Sequence, residues 1–185
     1  MPRLFIGIHI NDPVDIADLQ NDLKKKLRKS SIKWVEPENF HLTLKFLGDV
    51  NLHLTGPIAQ VLRSRAQIYS PFEIEPDGLG IFGNITTPRV IWYGFRENSM
   101  LTTLQQGIEE SMSGLGFARE QRNFSPHLTI GRIKYLAERE TLHLALTNQK
   151  DQKNNYRIDE FQLIQSTLKK EGPVYTNIES FHLQA

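Results

Sequence analysis

The chain carries an internal repeat, and that repeat constrains its fold more than any other feature. His41-Leu42-Thr43 recurs as His127-Leu128-Thr129, and Pro2-Arg3 recurs as Pro88-Arg89, each displaced by 86 positions. The elements between them recur too. In the first half Leu4, Ile6 and Ile8 alternate with other residues, the period of a strand. Asp12-Pro13 then offers a helix N-cap followed by an N1 proline. Ile16, Leu19, Leu23 and Leu27 follow at spacings of 3, 4 and 4, one apolar face of a helix. A strand from Phe40 to Leu47 follows and closes at Gly48-Asp49. In the second half Val90 to Phe95 is the first strand and Asn98-Ser99 the helix start. Leu101, Leu104, Ile108 and Met112 repeat the 3, 4, 4 spacing at an offset of 85, and Gly114 and Gly116 suit the helix exit. The one-residue difference between 85 and 86 fits in a loop. No low-complexity linker separates the halves, so they are expected to pack together.

The other segments complete the plan. Ile58, Val61, Leu62 and Arg65 mark a helix after Thr55-Gly56-Pro57, and Phe72 to Glu75 a strand. Gly78, Gly80 and Gly83 suggest a loop-rich connection to Arg89. A short helix is expected from Ala137, with Leu142, Ala145 and Leu146 on one face. Two long strands, Tyr156 to Leu168 and Val174 to Leu183, flank the turn signal Lys169-Lys170-Glu171-Gly172-Pro173. Strands interleaved with helices and ending in a hairpin make an α+β protein.

Composition narrows the function. With no cysteine among 185 residues, disulfides and cysteine nucleophiles are excluded, which suits a reducing cytoplasm. No apolar run reaches membrane-spanning length, and the N-terminus reads as a strand rather than a secretion signal. The net charge of +1 is too small for a protein that tracks a long phosphate backbone. Contact with a nucleic acid would be local, to one or two nucleotides. The run Lys24-Lys25-Lys26-Leu27-Arg28-Lys29 reads as a solvated helix end, where cations oppose the dipole.

Residues i and i+2 of a strand share a face. His41 and Thr43 therefore point one way while Leu42 and Leu44 enter a core, and His127 and Thr129 oppose Leu128 and Ile130. A pseudo-two-fold axis would set the two His-Thr pairs across a cleft. One neutral imidazole can then take a proton from an attacking water while one imidazolium protonates a leaving oxygen. Two hydroxyls can donate to the non-bridging oxygens of a phosphate. A metal site is disfavoured, because two histidines are too few ligands and neither has a carboxylate at i+2 or i+4. One H-x-T alone would read as a structural hydrogen bond. Two copies in matching positions of a repeat indicate function, and no cofactor is called for. Lys45, on the His41 face of a regular strand, is a candidate for added positive charge in the cleft. His53, His143 and His182 have neither a paired threonine nor a repeat partner, and are read as structural or solvent-exposed.

At these residues the chain resembles the two-histidine (2H) phosphoesterase superfamily. More closely it resembles the RNA 2′,3′-cyclic phosphodiesterases, also called 2′-5′ RNA ligases. The resemblance runs through Arg3 to Ile8, Trp34 to Gly48, Gly78 to Gly83, Pro88 to Trp92, Ser125 to Arg132, Phe161 to Ser166 and Glu171 to Tyr175. It implies a bilobal, pseudo-two-fold fold over residues 1–185, one domain of two intertwined lobes, with antiparallel sheets around a central cleft and helices outside. It implies hydrolysis of a terminal 2′,3′-cyclic phosphate on RNA to a 2′-phosphate. Separately, a cytoplasmic location and a monomer are expected. His41 would be the proton donor to O3′, His127 the proton acceptor from water, and Thr43 and Thr129 the phosphate ligands. The assignment of acid and base rests on the resemblance, since symmetry does not distinguish the histidines. Phe46 and Arg132, each five residues past a motif histidine, match positions that stack on the terminal base. Read as residues alone, Phe46 also suits a core, and Arg132 a phosphate contact or a surface charge. His9 departs from the acidic or apolar residue common in relatives, and no function is attached to it.

Two other readings use the same residues: hydrolysis of small cyclic nucleotides or of ADP-ribose cyclic phosphate, and an RNA-end-binding or joining module. Joining would have no nucleotide-derived energy, because Gly78-x-Gly-x-x-Gly83 is followed by Asn-Ile-Thr-Thr-Pro rather than a helix start.

Overall fold

A computed structural model describes residues 1–148, 154–168 and 173–184. The first half runs β1 (Arg3–His9), α1 (Val14–Lys26), β2 (Ser31–Trp34), β3 (His41–Asp49), α2 (Thr55–Ala66), β4 (Phe72–Ile74) and β5 (Pro76–Asn84). The second runs β6 (Thr87–Phe95), α3 (Ser99–Gly114), β7 (His127–Tyr135), α4 (Arg139–Thr147), β8 (Tyr156–Ile158) and β9 (Glu160–Leu168), and β10 (Pro173–His182) follows. The fold is α+β, with antiparallel pairing throughout. Eight strands form one sheet in the order β10-β9-β1-β3-β7-β6-β5, with β2 also on β7, and β4 pairs with β8.

The repeat is longer than the sequence suggests. Beyond the strand–helix–strand unit, α2, β4 and β5 have counterparts in α4, β8 and β9. The halves exchange strands: β5 of the first half lies on β6 of the second, and β9 of the second lies on β1 of the first. The register also locates the one-residue slip. Gly7 lies opposite Thr43 and Trp92 opposite Thr129, so β1 and β6 are related by 85 residues, as the helices are. The extra residue therefore falls between each helix and its H-x-T strand. The Pro-Arg match at 86 is one residue out of this register.

The apolar positions behave as their periods require. Leu4, Ile6 and Ile8 from β1, Leu42 and Leu44 from β3 and Leu128 and Ile130 from β7 share one buried cluster with Ile16, Leu23, Ile58, Leu62, Leu104, Ile108 and Met112 from the helices. Burial of each such side chain contributes about 1.5–3 kcal/mol. The Asn98 side chain accepts from the Leu101 N–H at 3.0 Å and caps α3. At its other end Gly116, at φ 90°, donates to Ser113 C=O, and Phe117 donates to Met112 C=O, a Schellman exit.

Several expectations need correction. Asp12 does not cap α1: it sits in a left-handed turn at φ 49°, and Pro13 is the cap residue. The segment from Gly78 to Arg89 lies within a hairpin of two nine-residue strands, β5 and β6, with its turn capped by the Asn84 side chain. Its glycines suggest a loop, but Gly78 and Gly83 supply positive φ angles of 94° and 97° at register shifts in the paired strands, and Gly80 makes room for packing. The Trp92 indole lies over Gly80 and Gly94, and a Cβ on Gly80 would come within 2.0 Å of it. The expected strand from Tyr156 breaks at Asp159 into β8 and β9, which join different sheets. The short strand β2 was not legible in the sequence. The turn at Lys169–Gly172 lies outside the described residues, and Pro173 opens β10.

Candidate active site

The two H-x-T strands are neighbours. β3 and β7 meet at one pair, Leu42 opposite Leu128, beside which His41 and His127 begin their strands. The leucines are fully buried, whereas both histidines and both threonines are half-buried on the other face. The two pairs thus stand on adjacent strands beside the repeat's axis.

Matched bulges complete the face. Ile6 lies opposite Lys45 and Gly7 opposite Thr43, which leaves Leu44 as an extra residue on β3. Ile91 lies opposite Gly131 and Trp92 opposite Thr129, which leaves Ile130 extra on β7. Each extra residue reverses the alternation that follows it. In a regular strand a residue at i+5 would point away from the histidine. The bulges bring Phe46 and Arg132 onto the histidine face, where both are exposed, Phe46 by 72%. The core alternative for Phe46 is thereby excluded.

The same bulge corrects the expectation for Lys45. Its side chain turns to the helix side, is almost fully buried, and pairs with Glu109 of α3 at 2.6 Å and with Ala118 C=O at 2.8 Å. It adds no charge to the cleft. At the equivalent position of β7 stands Gly131, covered by Trp34 and Ile32 of β2.

The imidazoles are oriented identically. His41 Nδ1 lies 3.0 Å from Asn39 C=O, and His127 Nδ1 lies 2.7 Å from Ser125 C=O, each the carbonyl two residues before it. A carbonyl only accepts, so Nδ1 carries the proton in both rings. Nε2 is left as the atom that can take or give a proton. Neither Thr43 nor Thr129 has its hydroxyl hydrogen-bonded among the described residues, so both can donate to an anion.

Aromatic walls strip water from both rings. Around His41 stand Phe5 at 6.0 Å, Tyr175 at 5.4 Å and His9 at 4.9 Å, centroid to centroid. Around His127 stand Phe82 at 4.7 Å and Trp92 at 6.0 Å. Burial lowers the His41 pKa to about 4. The bond to Asn39 opposes this shift, and neighbouring His9 adds to it. Burial lowers His127 as well, opposed by its bond to Ser125. Burial also raises the Tyr175 phenol, and the nearby Arg132 guanidinium acts against that shift.

Sequence reasoning assigned no role to Phe5, Trp92, Phe82 or Tyr175. Parity could have found the first two, since Phe5 and Gly7 alternate with the core residues of β1, and Trp92 and Gly94 with those of β6. No local signal marks Tyr175, which reaches His41 from the last strand. His53, in the turn before α2, and His143, on α4, are exposed and lie on neither H-x-T strand, and His182 lies 3.3 Å from Glu160 at the edge of the sheet. Among the described residues no group of three or more His, Cys, Asp or Glu side chains could hold a metal ion. No helix there is long and apolar enough to cross a membrane.

The duplication recurs in comparison with known proteins. The model of the LigT-like phosphoesterases matches twice, over residues 8–92 and 96–175. The chain is 35% identical over 184 residues to an RNA 2′,3′-cyclic phosphodiesterase of Methanothermobacter thermautotrophicus, covering 98% of each chain. It is 34% identical over 179 residues to one of Archaeoglobus fulgidus, covering 97% of this chain and 99% of the other. Its structure superposes on that of TT0787 of Thermus thermophilus with a TM-score of 0.81, at 27% identity and 98% coverage of both chains. A family model that matches both halves, and relatives that align from end to end, show that this chain belongs to the LigT-like phosphoesterases.

Proposed function

We propose that this chain is an RNA 2′,3′-cyclic phosphodiesterase that opens a terminal cyclic phosphate to a 2′-phosphate by metal-free acid–base catalysis. The observation that carries the reading is the pair of imidazoles, each fixed through Nδ1 by the carbonyl two residues before it, with Nε2 left for proton transfer. The curated relatives of matching length are named for this activity. In the proposed reaction His127 Nε2 takes a proton from water as the water oxygen attacks phosphorus. The bond from phosphorus to O3′ breaks in line, and His41 Nε2 protonates the departing oxygen. Thr43 and Thr129 donate to the non-bridging oxygens. Phe46 and Arg132 hold the terminal base by stacking. A 5′-hydroxyl in the place of water would give a 2′-5′ linkage, the ligation counterpart of the same step.

The lowered pKa values suit the base directly, because His127 is neutral near pH 7. The acid needs its proton restored. Raising His41 from about 4 to near 7 takes about 4 kcal/mol at 1.36 kcal/mol per unit. A phosphate monoanion about 4 Å away supplies about 4 kcal/mol at an effective dielectric constant of about 20. The substrate's own charge thus arms the acid, and the free protein holds both imidazoles neutral.

The enzyme works as a cytoplasmic monomer, as one unit of two pseudo-symmetric lobes. The exchange of β5 and β9 between the halves supports that unit. Hydrolysis of short RNA ending in a 2′,3′-cyclic phosphate, with EDTA present throughout, tests the reading. The expected product is the 2′-phosphate, resistant to enzymes that remove 3′-phosphates. A 3′-phosphate product, or loss of turnover on chelation with recovery on adding Zn²⁺ or Mn²⁺, would refute it.

A further inference from the structure

Beyond Arg132 the histidine-bearing strand β7 runs on into a groove with a marked chemical bias. The groove, of about 410 Å³, is lined by Arg89, Lys134, Arg139, Thr86, Thr87 and Tyr135, among others, and no acidic residue lines it. All three cations are exposed, and none takes part in an ion pair or hydrogen bond among the described residues. Other arginines are occupied: Arg63 pairs with Glu179, Arg96 with Glu75 and Arg122 with Glu120. Of the two acids that flank Arg139, Glu138 accepts from the Ser30 hydroxyl and the Lys29 N–H and points its charge elsewhere, and Glu140 is exposed and does not line the groove. On a protein of net charge +1, three unpaired cations converging on one groove are a local excess.

The groove lies farther along β7 from the active site. Val90 pairs with Arg132, so Arg89 and Pro88 lie beside the part of β7 that leads to Lys134. Lys134 is roughly 20 Å from His127 along the strand at about 3.3 Å per residue. Tyr135 is 63% exposed and offers a flat aromatic surface at the groove. Cations along a channel beside an exposed ring are the elements of single-stranded nucleic-acid binding: charges for phosphates, a ring for a base.

We propose that this groove binds the RNA chain on the 5′ side of the reacting nucleotide, with Arg89, Lys134 and Arg139 on its phosphates and Tyr135 stacked on a base. The proposal rests on the reading of the substrate as an RNA end. It extends contact past the last one or two nucleotides, and it places the electrostatic contribution here rather than on the basic end of α1.

Steady-state kinetics on two substrates test it: a short oligoribonucleotide ending in 2′,3′-cyclic phosphate, and the mononucleotide 2′,3′-cyclic AMP. The triple variant Arg89→Gln, Lys134→Gln, Arg139→Gln should raise KM for the oligonucleotide by about 10- to 100-fold at low salt. Its log KM against log salt slope should fall by about 2, three contacts at about 0.7 each on a single strand. Its kinetics on 2′,3′-cyclic AMP should stay within about two-fold of the unmodified protein, since a mononucleotide has no upstream phosphate. A control variant Lys25→Gln, Arg28→Gln, Lys29→Gln removes the same charge at the end of α1 and should leave both substrates unaffected. An unchanged oligonucleotide KM, an equal change for both substrates, or an equal effect of the control would overturn the groove assignment and leave the proposed reaction standing. Failure of the unmodified protein to open either cyclic phosphate would overturn the reaction and the groove together.

Discussion

Burial of His41 makes a prediction about stability that does not depend on any substrate. In the unfolded chain a histidine titrates near 6.5, and in the folded protein His41 is held at about 4. Its folded pKa is the lower one, so between these values the unfolded state binds more protons, and stability falls as the pH falls. The contribution is fully present above about pH 6.5 and is lost progressively toward pH 4. Moving from pH 7.5 to 4.5 should therefore cost about 2.5 kcal/mol through this residue alone. His127 acts in the same direction. His41→Asn removes the titration and can keep a donor near the position of Nδ1, within reach of the Asn39 carbonyl. Urea unfolding of both proteins at the two pH values isolates the effect, because titrating groups not coupled to His41 cancel in the difference of differences. The variant should lose about 2.5 kcal/mol less than the unmodified protein between pH 7.5 and 4.5. Parallel losses, agreeing within about 0.5 kcal/mol, would show that the walls of Phe5, Tyr175 and His9 do not desolvate the ring, and would remove the argument that substrate charge arms the acid.

Three further outcomes are expected. With a substrate whose leaving group needs no proton, His41→Ala should recover much of its lost activity while His127→Ala stays slow, about 10²–10⁴-fold down; the opposite rescue in single-turnover kinetics would exchange the roles of acid and base. Lys45→Met leaves the buried Glu109 carboxylate without its cation and should destabilise by about 3–5 kcal/mol in denaturant unfolding, whereas Lys45→Met with Glu109→Gln should recover most of the loss. Gly80→Ala drives a Cβ into the Trp92 indole and should cost about 1–3 kcal/mol by thermal unfolding while also slowing turnover, because that indole walls His127; an unperturbed variant would show that the ring is free to move.

The sequence by itself determined the repeat, the H-x-T strands and the parity that sends Leu42 and Leu128 inward and the histidines and threonines outward. Those features are written in periods of two and 3.6 residues and in a motif that occurs twice, and local geometry suffices to read them. What the sequence could not determine was whatever depends on partners distant in the chain. A bulge exists only relative to the strand it faces. The extra residues Leu44 and Ile130, which carry Phe46 and Arg132 to the cleft and turn Lys45 into the core, therefore leave no local signature. Gly80, between Gly78 and Gly83, reads as loop because glycine density usually means turns, and Gly94 is one unremarked residue of an expected strand. Only the packed sheet shows an indole lying where their side chains would be. The pairing of β9 with β1 and the wall that Tyr175 gives His41 join residues more than 130 positions apart. The basic groove gathers Arg89 and Arg139 from elements about 50 residues apart. The sequence set the chemistry of each group, and the tertiary structure decided which groups share a water-poor face, because desolvation and convergence are properties of neighbours in space.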